Sequence, residues 1–298
     1  MTQTFAELQR FAVPGSVAVV AGEGGLPVIR LATARCRAEI HLQGAHVTRW
    51  QPNGHAEVLW LSALSRFAET APIRGGVPLC WPWFGPHPTE PASPGHGFAR
   101  IRRWRLESVD LTEGTAALVL SDRGGPMPGF PHPWQTQVLI TAGSTLSIEL
   151  ATTNAGPAPF TITEALHTYL AVSDVRRCQI TGLDATTVLD KVANLRRTQT
   201  AGPLALAGWT DQVHLGHAGA VTVADPGWNR RITISKTGSA STVVWNPWST
   251  QAVKMNDFAA TEWPGMLCVE AGNCLDDAAV VAAGSTRRIA TSIAVEAG

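Results

Sequence analysis

Hydrophobic and polar residues alternate with a period of two along most of this chain. SVAVVAG, PVIRLAT, AEIHLQGAHVTRW, GTAALVLSD, TQVLITAG, STLSIELATTN and FTITEALHTYLAV each put apolar side chains on one face and polar ones on the other. VTVAD, RRITISK, STVVWNP and RRIATSIAV continue the pattern. Turn-forming segments separate these runs: GEGG, QPNG, TAGS, NAGPAP, ADPGW, KTGSAS and VAAGS. Helical candidates are confined to residues 5–11 and a short turn near 253–258. No βαβ rhythm, repeat, low-complexity tract or linker divides the chain. The pattern therefore predicts an all-β fold, built as one large antiparallel sandwich over residues 1–298.

One segment breaks the alternation. Residues 72–100 read PIRGGVPLCWPWFGPHPTEPASPGHGFAR, dense in proline and glycine, which suit no regular strand interior. Trp81, Trp83 and Phe84 argue against disorder, so this long loop is expected to be structured and functional. Arg74 stands beside two glycines, and Arg100 closes the segment after His96. Guanidinium forks suit phosphate, and glycines let backbone N–H groups approach an anion. Arginines at loop ends also commonly form surface ion pairs, so the segment alone does not assign a ligand.

Composition narrows the classes. Lys plus Arg equals Asp plus Glu at 23 each, which argues against a nucleic-acid or membrane-surface binder. Five cysteines without a close Cys-x-x-Cys pair read as reduced thiols rather than disulfides or a zinc site. The opening MTQTFAELQR lacks the basic and apolar regions of a signal peptide. No apolar run approaches the ~20 residues that cross a bilayer. A cytoplasmic location is expected.

Three further residues could carry chemistry. His167 lies within the strand pattern ITEALHTYLAV, and histidine is the side chain best poised to move a proton near neutral pH. Glu270 ends the apolar run 266–269 in GMLCVEAGN and precedes an expected turn at 271–273. A carboxyl at a buried strand end gains proton affinity and becomes a useful base. Asp211, in GWTDQVHL, reads on pattern alone as a turn residue capping the next strand. Local pattern leaves a bland alternative open for each: a satisfied core histidine, a solvated glutamate, a cap. Trp81, Trp83, Trp245, Trp248 and Trp263 lie near these segments, and their faces suit sugar rings as well as cores. No Gly-x-Ser-x-Gly elbow, P-loop or close histidine pair for zinc is present, and nothing singles out a second carboxylate for glycoside hydrolysis.

The runs IRGGVPLCWPWFG, PGHGFAR, EALHTYLAVSD, ITGLDATTVLDK, VVWNPW and CVEAGN resemble, in the same order, the aldose 1-epimerase superfamily. They are most similar to its glucose-6-phosphate 1-epimerase branch, over roughly residues 44–273. The resemblance implies that branch's β-supersandwich. It implies His167 as catalytic acid and Glu270 as catalytic base, moving protons while the ring opens and closes. It further implies Arg74 and Arg100 as substrate contacts, plausibly to phosphate, His96 as pocket wall and Asp211 as a contact to sugar hydroxyls. Gly95 stands where some relatives carry glutamine before HGFAR. Arg176, Arg177, Lys191 and Lys254 could add positive charge. Ring opening needs no redox change or group transfer, so neither cofactor nor metal is implied. The implied partner is a small-molecule hexose phosphate, with no nucleic acid and no membrane, and the oligomeric state is open. A mutarotase for unphosphorylated aldoses, or a non-catalytic carbohydrate-binding protein, remains the alternative.

Overall fold

The computed structural model describes residues 2–298. They form the expected all-β architecture, and every pairing between its strands is antiparallel. One eight-stranded sheet runs, in spatial order, Gln179–Thr181, Val221–Asp225, Arg230–Thr237, Thr286–Ala297, Leu146–Asn154, Trp134–Ala142, Thr115–Gly124 and Arg105–Thr112. The strand Trp134–Ala142 shows why it forms: Trp134, Thr136, Val138, Ile140 and Ala142 are buried, while Gln135, Gln137 and Leu139 are exposed.

A second eight-stranded sheet carries Glu270. Its order is Arg196–Gln199, Thr187–Asp190, Thr210–Leu215, Ser241–Asn246, Met266–Asn273, Glu164–Leu166 and Leu79–Cys80, with Tyr169–Ala171 also pairing to Met266–Asn273. The two sheets share one apolar core, in which Leu166, Val244, Leu267, Val269 and Ala271 meet Leu118, Val138, Leu150, Ile232 and Ile289. A four-stranded sheet, Val17–Ala21 through His46–Pro52, runs in chain order and adds Ile29, Ile40 and Trp50 to that core.

Four expectations change. FTITEALHTYLAV is not one strand but three short ones, Phe160–Ile162, Glu164–Leu166 and Tyr169–Ala171. His167 and Thr168 fall in the break between the last two, where the His167 N–H is donated to the Pro78 carbonyl at 3.0 Å. The strand Met266–Asn273 runs through Glu270 without a turn at 271–273, because Ser241–Trp245 and Glu164–Leu166 pair along its sides. Asp211 is not a cap but the second residue of Thr210–Leu215, opposite Trp245. The later helix is Trp248–Ala252, ahead of 253–258, while residues 5–11 do coil, as Phe5–Leu8 followed by a 3-10 turn, behind a Thr4–Glu7 capping box.

A buried ion pair fastens the sandwich. Arg230 and Asp225 face each other across a hairpin at 3.3 Å, with side chains 4% and 0% exposed. Arg230 also donates to the carbonyls of Glu57 and Ala171, and Asp225 accepts from Ser173. Arg230→Ala would leave the buried Asp225 carboxylate without its cation, held only by Ser173, and is expected to cost about 3–5 kcal/mol in urea unfolding. Asp225 and Arg230 replaced together by apolar residues should lose far less, since no charge is then orphaned.

Candidate active site

The central strand builds the site by alternation. Leu267, Val269 and Ala271 point into the shared core, so Cys268 and Glu270 share the opposite face. All eight positions of this strand are buried. On its flank, the Val269 N–H is donated to the Thr168 carbonyl at 3.2 Å, which holds the break beside the strand. His167 thereby faces Glu270, with Nδ1 lying 3.4 Å from Oε1. The contact is not aligned as a hydrogen bond: Nδ1 of His167 and Oε2 of Glu270 are buried without partners.

An aromatic and cationic shell surrounds the pair. The Tyr169 ring stacks on His167 with centroids 4.5 Å apart and planes 5° from parallel. Trp245 meets both rings edge-on, at 6.2 and 6.1 Å. The Tyr169 hydroxyl accepts a hydrogen bond from Nη1 of Arg74 at 3.0 Å, and Arg74 also grips Asp257 through Nε at 3.1 Å and Nη2 at 3.0 Å. Arg74 thus has donors left over but little free charge. His96 lies 5.7 Å from His167 between ring centroids and packs on Phe84 at 5.0 Å. Lys191 pairs with Asp211 at 3.2 Å and lies over the Phe84 ring at 5.0 Å.

Arg100 differs from the other cations. Its Nη2 donates to the Gly95 carbonyl at 2.7 Å, its Nε is buried without a partner, and no carboxylate pairs with it among the described residues. Its charge is therefore the one most available to an incoming anion. The glycines beside Arg74 serve packing rather than anion approach. A Cβ on Gly76 would sit 2.2 Å from the Val47 carbonyl oxygen, and the Gly76 N–H is already donated to Trp60.

Burial sets the electrostatics. It pushes Glu270 well above the usual carboxylate range, with Lys191 opposing and Asp211 reinforcing the shift. It pushes His167 well below the usual imidazole range, helped by the charges of His96, Arg74, Arg100 and Lys191. His96 falls to about 3 for the same reasons, burial first and Arg100 next. Burial thus favours the uncharged form of each group, the protonated carboxyl of Glu270 and the neutral imidazole of His167. An NMR titration of the free protein should find His167 and His96 unprotonated as pH falls through 6.5, the ordinary value for imidazole. A midpoint near 6.5 at either ring would contradict this arrangement.

The sequence profile of one family, aldose 1-epimerase, matches residues 27–294, the span that holds every group just described. The chain belongs to the aldose 1-epimerase family. Relatives from Escherichia coli (strain K12) and Cenchrus ciliaris are each named "Putative glucose-6-phosphate 1-epimerase". The first is 34% identical across 78% of this chain and 79% of its own, and the second 32% identical across 83% and 78%. A Salmonella typhimurium structure described as a "putative mutarotase" superposes with a TM-score of 0.90 at 29% identity, covering 96% of both chains. The galactose mutarotase related enzyme of Lactobacillus acidophilus, at 11% identity and a TM-score of 0.70, shares the fold.

The fold gathers His167, Glu270, Arg74, His96, Arg100 and Asp211 around one region, although no two of them but His96 and Arg100 are close in sequence. Tyr169, Asp257 and Cys268 escaped sequence reasoning. Two signals could have found two of them: Tyr169 follows His167, and Cys268 precedes Glu270, by the two residues that keep a strand's side chains on one face. Of the tryptophans, Trp81 and Trp83 are core residues at 1% and 5% exposure, Trp248 and Trp263 pack on each other at 4.3 Å, and Trp245 alone of the five touches the His167 ring. Arg176 pairs with Asp174 at the surface, and Lys254 is exposed. A cavity of about 780 Å³ lies elsewhere, along the other large sheet, but Arg102–Asp122 and Arg105–Glu107 pair within it, and no histidine lines it. All five cysteines are buried and unpaired. Among the described residues no helix is long and apolar enough to cross a membrane.

Proposed function

We propose that this protein interconverts the α and β anomers of a hexose 6-phosphate, glucose 6-phosphate foremost, with Glu270 and His167 as the acid–base pair. The observation that carries the reading is the buried pair itself: two proton-transfer groups at 3.4 Å, each with an unpartnered atom, beside an arginine without a counter-ion. The names of the relatives support the phosphorylated substrate.

In the uncharged form that burial favours, the pair holds two protons, one on each residue, and catalysis keeps that total constant. Oε1 of Glu270 faces Nδ1 of His167, which leaves Oε2 for the anomeric hydroxyl and Nε2 for the ring oxygen. As Nε2 gives its proton to the ring oxygen, Nδ1 takes the proton of Glu270, and Oε2 takes the proton of the anomeric hydroxyl. The C1–O5 bond breaks, the open-chain aldehyde turns about C1–C2, and the ring recloses on its other face as the protons return. Each transfer contributes about 10²–10⁴-fold, which suffices for a reaction already measurable in water. Arg100, and Arg74 through its remaining donors, hold the phosphate remote from C1, so that binding energy orients the reacting centre. Asp211 and Lys191 meet sugar hydroxyls at the other side of Glu270.

A panel of glucose, mannose and galactose 6-phosphates against the free sugars, followed by anomer-exchange NMR, tests the substrate class. At least one phosphate should exchange faster than its free sugar. Uniformly faster exchange of the free sugars would assign the protein to unphosphorylated aldoses.

A further inference from the structure

We propose that His167, Cys268 and Glu270 form an inhibitory site for a borderline-soft divalent cation of the Zn²⁺ type. Cys268 has no part in the acid–base chemistry, yet it shares the strand face of Glu270. One ligand atom from each of the three residues lies within 4.8 Å of the others, and all three residues are buried. Imidazole, thiolate and carboxylate are the donor set zinc takes, and three protein ligands leave a fourth corner for water.

The metric fit is close. Zinc bonds of about 2.0–2.2 Å to nitrogen and oxygen put those two atoms about 3.4 Å apart in a tetrahedron. The observed separation of Nδ1 and Oε1 is 3.4 Å. A sulfur bond of about 2.3 Å sets the edges to sulfur at about 3.6 Å, so the thiol needs to close by about 1 Å at most. Nδ1 of His167 is buried without a partner, so a cation displaces no existing hydrogen bond from it. The cations facing the cluster are Arg74, Arg100 and Lys191, with Asp211, His96 and Cys80 also within electrostatic reach. Binding releases the thiol proton to solvent, and the thiolate so formed offsets part of the dication's charge. Magnesium and calcium prefer oxygen ligands and are excluded by the thiol and imidazole.

Occupancy would remove both proton-transfer groups at once. That inhibition rests on the proposed catalytic roles, whereas the metal site itself does not. Co²⁺, a spectroscopic stand-in for Zn²⁺, tests the site without turnover. One equivalent added to the whole protein should produce a thiolate-to-cobalt charge-transfer band, which Zn²⁺ bleaches. The band should be missing in Cys268→Ser and in Cys268→Ala, the second variant guarding against a buried hydroxyl that unfolds the first. In anomer exchange, Zn²⁺ should inhibit the wild type, with relief by substrate or EDTA and no effect of Mg²⁺. Either variant should turn over normally and need roughly 100-fold more Zn²⁺, as expected for loss of its softest ligand. No band in the wild type, or a band that survives in a folded Cys268 variant, overturns the site. A band without inhibition leaves the site standing and refutes the catalytic roles instead.

Discussion

Glu270→Gln is expected to lower kcat for anomer exchange by about 10²–10⁴-fold while leaving the fold intact. The amide keeps the shape of the carboxyl but can neither accept the anomeric proton nor pass one to His167. Stability should hardly change, for a specific reason. Burial raises the proton affinity of Glu270, and the substitution replaces a carboxyl whose uncharged form is favoured by a neutral group of the same shape. A thermal melt within a few degrees of wild type, together with the lost rate, separates chemistry from folding. His167→Ala should lose a comparable factor. The double variant should be little worse than either single one, because residues that act as a unit do not lose rate additively. A double variant slower by the product of both losses would show that the two residues act independently.

Arg100→Ala is expected to raise KM for a hexose 6-phosphate by about 10–100-fold, the worth of one charge-assisted contact, with kcat nearly unchanged. For a free hexose the same variant should behave as wild type. Arg74→Ala should behave differently, and the contrast follows from geometry. Arg74 holds the Tyr169 hydroxyl at 3.0 Å, and Tyr169 stacks flat on His167. Removing Arg74 therefore frees the ring that orients the acid, and leaves Asp257 without its ion pair. Both kcat and KM should suffer, for phosphorylated and free sugars alike. Equal effects of the two arginine variants on a free hexose would refute the division between Arg100, which only holds phosphate, and Arg74, which also positions the ring beside His167.

The fold class was legible because two-residue alternation is the direct imprint of a half-buried antiparallel strand. The strands that sequence reasoning missed lie where that imprint fades. Arg196–Gln199 is exposed at every position and Gln179–Thr181 is buried only at Ile180, so neither carries an apolar stripe. Met266–Asn273 fails in the opposite way. It is buried on both faces, and Glu270 read as the end of an apolar run when it is the middle of a strand. The break at His167 was invisible for a third reason. Alternation continues across it, while the backbone leaves the ladder to bond Pro78, a contact between segments remote in sequence.

The candidate site divides along the same line. The proposed proton-transfer pair rests on ordered motifs, not on local pattern. The partners that tune each residue were not in reach: Asp257 meets Arg74 from 183 positions away, and nothing in GWTDQVHL tells that Asp211 pairs with Lys191. Charge state was likewise illegible. A histidine and a glutamate read from sequence take their usual ionisation, whereas burial shifts both toward the uncharged form, aided at His167 by Arg74, Arg100 and Lys191 and opposed at Glu270 by Lys191.

Two-dimensional exchange NMR on an equilibrium mixture of α- and β-glucose 6-phosphate tests the central claim most directly. Substoichiometric wild-type protein should produce strong exchange cross-peaks between the two anomeric protons, far above those in buffer, and Glu270→Gln should remove them. Cross-peaks no stronger than in buffer, or equally strong with Glu270→Gln, would contradict the account.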